Sequence, residues 1–251
     1  YETQEDVFHV PENQQIDLLW VVDCSGSMTD EREKLSDTFN DFVEDTGELE
    51  MNLNMGVITM DIDNTEQAGV LQGDPAIMRN YGDEAMTMEE ISQALENTVN
   101  NLSNDCSSTE AGLEAVHLAL TNPANSGFLR EDSRLAMVFV SDEDDQSGGV
   151  TSFFSDFYRN IKGVQNTNDL KVAAIAGPLP GGCFTDDGMV SAEAGERYHE
   201  VVMACGGGYD TFFYSICADD WSPVLGEAVS DNLAFPQDGC FIITRFPEVE
   251  T

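Results

Sequence analysis

The chain has 251 residues, 41% of them hydrophobic, enough for one large α/β domain or two small ones around a sizeable core. Its formal net charge is −38, from 48 Asp and Glu against 10 Lys and Arg. Such a surface excludes nucleic acid and anionic lipid as natural partners, and no run approaches the roughly 18 apolar residues of a membrane span.

The lead over residues 1–15 is polar. No segment reads as a signal peptide, and the opening Tyr1-Glu-Thr-Gln-Glu-Asp6 suits a mature product or an excised piece. Leu18 to Val22 is a short apolar run, expected of a central parallel strand covered on both faces. Thr29 to Thr46 reads as a helix, capped by Thr29 or Asp30, with Leu35, Phe39, Phe42 and Val43 on one face. Asn54 to Asp61 is a second strand, and Ala68 to Gln72 a short edge strand. Glu89 to Leu102 and Ser108 to Leu120 read as helices. Arg134 to Ser141 is a third buried strand, followed by the acidic run Asp142-Glu-Asp-Asp145. Thr151 to Val164 is a helix and Leu170 to Gly177 a fourth strand. Ala192 to Ala204 is a helix, Thr211 to Cys217 a strand, and Asp220 to Asp231 a helix. Gly239 to Phe246 is strand-like and outside the alternation. Strands alternating with helices at this spacing predict an α/β fold, with a doubly wound, mostly parallel central sheet and helices on both faces.

Asp23, Ser25 and Ser27 follow the first strand on a tight turn containing Gly26. In such sheets ligands bind at the loops beyond the carboxyl ends of strands. One carboxylate and two hydroxyls supply half the oxygen shell of a hard cation such as Mg²⁺. The same letters also suit a helix N-cap, so the rest of the shell decides. Two further strand-to-helix junctions carry candidates: Ser107-Ser-Thr-Glu110, and Asp142 after the third buried strand.

These segments resemble the von Willebrand factor type A (vWA) domain and its metal-ion-dependent adhesion site. The resemblance rests on Asp23-Cys-Ser-Gly-Ser-Met28, on Glu110-Ala-Gly-Leu-Glu-Ala115, and on Phe128-Leu-Arg through Val138-Phe-Val-Ser-Asp-Glu-Asp-Asp145. It is narrowest toward bacterial secreted A domains and covers residues 16–235 as one domain, leaving 236–251 as a strand-like tail toward a further domain. It implies a Rossmann-like fold and one divalent cation, Mg²⁺ or Ca²⁺. The implied ligands are Asp23, Ser25, Ser27, Thr109 and Asp142, with Ser108 as the alternative to Thr109. One coordination position would stay open for a partner's carboxylate. The common Thr-Asp-Gly of the last loop is here Ser141-Asp142-Glu143, so the glycine is missing. Asp61 is a weaker candidate for supporting the shell, and Asp144 and Asp145 are either loop acids or Ca²⁺ ligands.

Six cysteines with no C-x-x-C pair and only three His disfavour a zinc cage. Cys24 lies inside the first loop and Cys106 just before the second, and both loops must converge on one ion, which predicts a Cys24–Cys106 disulfide. Cys183 and Cys217 both follow strand ends, and Cys205 and Cys240 both follow helices, which predicts Cys183–Cys217 and Cys205–Cys240. Disulfides imply an extracellular, cell-surface or periplasmic location, and the charge implies a salty one, where screening quiets self-repulsion. The expected function is a metal-dependent adhesion module rather than an enzyme, binding a protein or other ligand through a carboxylate, with no nucleic-acid partner and no membrane insertion. A structural module with a purely stabilising metal, and a metal-dependent hydrolase, are the alternatives.

Overall fold

A computed structural model of the chain describes residues 14–47, 51–103, 106–163, 169–184, 188–205, 212–219 and 221. The strands are β1 (Gln14–Val22), β2 (Met51–Thr59), β3 (Met78–Arg79), β4 (Arg134–Val140), β5 (Leu170–Ala176), β6 (Cys183–Phe184), β7 (Val190–Ala192) and β8 (Phe213–Ser215). The helices are α1 (Thr29–Gly47), α2 (Met88–Asn100), α3 (Gly112–Thr121), α4 (Thr151–Asn160) and α5 (Glu196–Cys205). Six strands form one sheet in the order β3-β2-β1-β4-β5-β8, parallel except for the antiparallel edge strand β3.

The central strands are apolar on both sides because both sides are covered. Ile16, Leu18, Trp20 and Val22 pack with Leu35 and Phe39 of α1 and with Ile91, Leu95 and Val99 of α2. Leu19 and Val21 join Phe139, Val116, Phe154, Tyr158, Tyr198 and Val202 on the face of α3, α4 and α5. Val22 is level with Thr59 and with Val140 in the two ladders that flank β1. Asp23, Asp61 and Asp142 therefore leave the sheet at one end.

At the other end, Asp17 is a fully buried carboxylate on β1. Arg130 holds it through its backbone N and its Nε, each at 2.7 Å, and Ser133 Oγ also donates to it. The guanidinium continues to the carbonyls of Ile16 and Asn52, tying the loop before β4 to β1 and β2. Burial raises the Asp17 pKa above its ordinary value, opposed by these hydrogen bonds and the Arg130 charge.

Three expectations are corrected. Ala68 to Gln72 is not a strand: Gln67 N and Ala68 N both bond Asn64 O, Gly69 turns with φ +61°, and only Gln72 bridges β2, at Val57. The helix expected from Ser108 starts at Gly112, because Glu110 bridges Asp61 and Ala111 N bonds Met60 O. The helix expected from Ala192 starts at Glu196, since Val190–Ala192 pairs with Cys183–Phe184 as an antiparallel hairpin that the sequence reading lacked. The backbone then runs so close to β5 that a Cβ on Gly177 would sit 1.6 Å from Glu193 O, a contact only glycine permits. The predicted helix at Asp220 to Asp231, the strand at Gly239 to Phe246 and the tail 236–251 lie outside the described residues.

Candidate metal centre

The turn after β1 is organised by Asp23. Its Oδ1 accepts from Ser25 N at 2.7 Å, and its Oδ2 accepts from Ser141 Oγ at 2.8 Å. Asp23 N donates to Val140 O, which continues the β1–β4 ladder one residue into the loop. Ser25 Oγ and Ser27 Oγ lie 2.8 Å apart, and Ser27 Oγ donates to Asp142 Oδ1 at 3.3 Å. Asp23, Ser25, Ser27 and Asp142 thus form one continuous polar chain. Ser141 was not anticipated as part of it, although its position next to Asp142 places it on the neighbouring strand end.

The chain of oxygens carries more negative charge than its surroundings neutralise. Asp142 is pushed up to about 6, first by burial and then by the charge of Asp23, against the Ser27 hydrogen bond. Glu110 is pushed up to about 8 by burial and by Asp23 and Glu143. Gln146 Nε2 donates to both Glu110 Oε2 and Glu143 Oε2, so a neutral amide separates two acids. Burial raises Asp23 as well, opposed by the hydrogen bonds from Ser25 and Ser141 and by the charge of Arg32 on α1.

The second loop approaches through Asp61. Its Oδ1 accepts from Asp63 N, Asn64 N and Ser107 Oγ, and its Oδ2 from Ser107 N. These bonds hold its pKa below the usual value despite burial. Asp61 faces the expected end of the sheet, but its oxygens tie β2 to the 106–110 segment. Ser107 in turn holds the Thr109 backbone; Thr109 is half-buried and Ser108 exposed. Glu110 follows directly and feels the Asp23 charge, which sets this loop beside the first.

Asp144 and Asp145 act on helices. Asp144 Oδ1 accepts from Arg197 N in the first turn of α5. Asp145 Oδ1 accepts from Leu113 N in the first turn of α3, and Ser147 Oγ from Glu114 N beside it. Free N–H groups and the helix dipole favour acids there. Arg197 Nε closes the arrangement on Asp145 Oδ2 at 3.0 Å.

Two disulfides brace this end of the sheet. Cys24 and Cys106 are bridged with Cα atoms 5.8 Å apart, joining the first and second loops. Cys183 and Cys217 are bridged at 6.6 Å, anchoring the β6–β7 hairpin beside β8. Glu193 N, just after that hairpin, donates to Asp142 O at 2.7 Å. Cys205, expected to pair with Cys240, is instead a free thiol in the seam between α5 and α4, in contact with Ser155 O; Cys240 lies outside the described residues. Among the described residues no three His, Cys, Asp or Glu side chains gather as a metal cluster, so the candidate set depends on its hydroxyls.

No family model matches the chain, and no curated protein matches it in sequence. Solved structures do. Proximal thread matrix protein 1 from the mussel byssus aligns with a TM-score of 0.50 at 11% identity, over 86% of this chain and 48% of that one. The chain thus spans about half of the mussel protein. An aerotolerance-related membrane protein from Bacteroides fragilis aligns at 0.49 and 14% identity, over 88% and 98% of the two chains. The manganese-loaded TRAP protein of Plasmodium vivax aligns at 0.47 and 11% identity, over 85% and 71%. At these identities the likeness is one of fold. The doubly wound, mostly parallel sheet with helices on both faces is the architecture that the vWA resemblance implies. No helix among the described residues is long and apolar enough to cross a membrane.

Proposed function

We propose that the chain is a metal-ion-dependent binding module rather than an enzyme. It would hold Mg²⁺ or Ca²⁺ among Asp23, Ser25, Ser27, Thr109 and Asp142, and take a carboxylate from a protein or other partner. The observation that carries this reading is the polar chain from Asp23 through Ser25 and Ser27 to Asp142, set at the strand ends with its acids pushed up in pKa. All its donors are oxygens, which fits a hard divalent cation. When bound, the cation would supply an electrophilic centre with a position left for a foreign carboxylate. Asp23 and Asp142 contribute charge. Ser141 and Ser25 N fix the orientation of Asp23, and the disulfide at Cys24 holds the first loop against the second.

Two disulfides favour an oxidising location, outside the cytoplasm or in a periplasm. Isothermal titration with Mg²⁺ and with Ca²⁺ tests the metal step. Saturable binding by the native chain, lost in Asp142→Ala, is expected. Absence of cation binding, or equal binding by the variant, would refute the reading.

A further inference from the structure

A cleft of about 600 Å³ lies between α2 and the turn at residues 72–75, with Gln67 of its lining against the Cys24–Cys106 bridge. The volume is that of a small-ligand site. Gln67, in that lining, is only 8% exposed. Gln67 Oε1 rests 3.5 Å from Cys106 Sγ and 3.8 Å from Cys24 Sγ, but bridged sulfurs have no S–H to donate. Among the described residues the Gln67 side-chain amide therefore makes no hydrogen bond. Its amide nitrogen reaches the solvent of the cleft, where a ligand can take its hydrogen bonds.

The rest of the lining narrows the chemistry of that partner. Gln93 and Asn97 project from α2, while Gln72 and Asn101 use their NH₂ groups on Val70 O and Asn97 O, which leaves their carbonyl oxygens as acceptors. Among the described residues no Lys or Arg lines the cleft, so none of them favours an anion. Of the two acids among the described lining residues, Glu90 is held in the Thr87 capping box, which leaves Asp74 to meet a cation. Met86, Ala94 and Leu102 add small apolar surfaces without an aromatic ring. Beside the cleft, β2 is paired with β3 at Asn54 and Met55 and bridged by Gln72 at Val57. Amides that both donate and accept, with small apolar patches between them, match vicinal hydroxyls on a carbon ring.

We propose that this cleft binds a neutral, polyhydroxylated ligand, a sugar unit of an oligosaccharide, with the Gln67 amide in its lining and Gln93 and Asn97 along its wall. The site is independent of the metal centre. The test is titration of the full chain with maltotriose, cellotriose and chitotriose, followed by calorimetry and saturation-transfer NMR, with and without EDTA. Saturable binding of at least one is expected, unchanged by EDTA and by Asp142→Ala. It should weaken about tenfold or more in Gln93→Ala/Asn97→Ala, whose two exposed side chains leave the core intact, and in Gln67→Met. No saturable binding of any of the three would overturn the proposal. So would binding that the Gln93/Asn97 pair does not affect, or binding that EDTA abolishes.

Discussion

Ser27 Oγ donates to Asp142 Oδ1 at 3.3 Å, a contact between residues 115 apart in the chain. It is possible because β1 and β4 are adjacent and in register to their last residues, Val22 and Val140. The two loops are thereby assembled before any ligand arrives, at the cost of holding acids close together.

Neutralising Asp142 should stabilise the metal-free chain. Its pKa of about 6 means that the folded state disfavours the charge. At pH 7, Asp142→Asn should raise stability by about 1–3 kcal/mol. Thermal melts in EDTA read the gain, and the same variant should lose any stabilisation by added Mg²⁺ or Ca²⁺.

Stability of the metal-free chain should fall as pH rises. Asp142 at about 6 and Glu110 at about 8 stand above their ordinary values of 3.8 and 4.5. Across that interval the folded state binds more protons than the unfolded one, so their contribution is complete below the ordinary values and lost on passing the raised ones. Urea unfolding in EDTA from pH 5 to pH 8.5 should show the decline, and Glu110→Gln should flatten its upper half.

Reduction should loosen the site before the core. The Cys24–Cys106 bridge spans a sequence separation of 82, worth about 4–5 kcal/mol on the loop-entropy model. Mass spectrometry of the full chain should show a gain of about 2 Da for each bridge reduced, and peptide mapping should find Cys24 joined to Cys106 and Cys183 to Cys217. Cys24→Ser/Cys106→Ser should lower the melting temperature and weaken cation binding together.

Arg197→Ala should destabilise by about 3 kcal/mol, since it leaves the buried Asp145 carboxylate without its ion pair. Denaturant midpoints measure this. Arg197→Lys should recover part of the loss, because Arg197 also reaches Ser147 O and Gly149 O through its second nitrogen.

Salt should stabilise the chain. A net charge of −38 repels itself at low ionic strength, and the Debye length falls from about 10 Å at 0.1 M to about 3 Å at 1 M. The melting temperature should climb across that range in NaCl.

The parts of the fold legible in the sequence were those with one dominant signal. The apolar runs of β1, β4 and β5 could only be covered strands, and they fixed where Asp23 and Asp142 emerge. The paired loops then located Cys24 beside Cys106. What escaped was decided by contacts distant in sequence. Ser107-Ser-Thr-Glu110 has the letters of a helix start, yet Asp61 captures Ser107 and a β-bridge captures Glu110, so α3 begins later. The β6–β7 hairpin is short and mostly exposed, with no apolar periodicity to mark it. Asp144 and Asp145 looked like free loop acids because the N–H groups they cap belong to helices on either side of them in sequence. Gln67 carried no signal, since its environment depends on a disulfide formed by two other residues.

The loop after β4 touches three elements within four residues: β1's turn through Asp142, α5 through Asp144 and α3 through Asp145. A pull applied at Asp142 would therefore divide along several paths, into the sheet through β4, into both helices, and through Glu193 into the stapled hairpin. Because these paths diverge, no single hydrogen bond bears the whole load. Displacing Asp142 would require the loop, two helix ends and the hairpin to shift together.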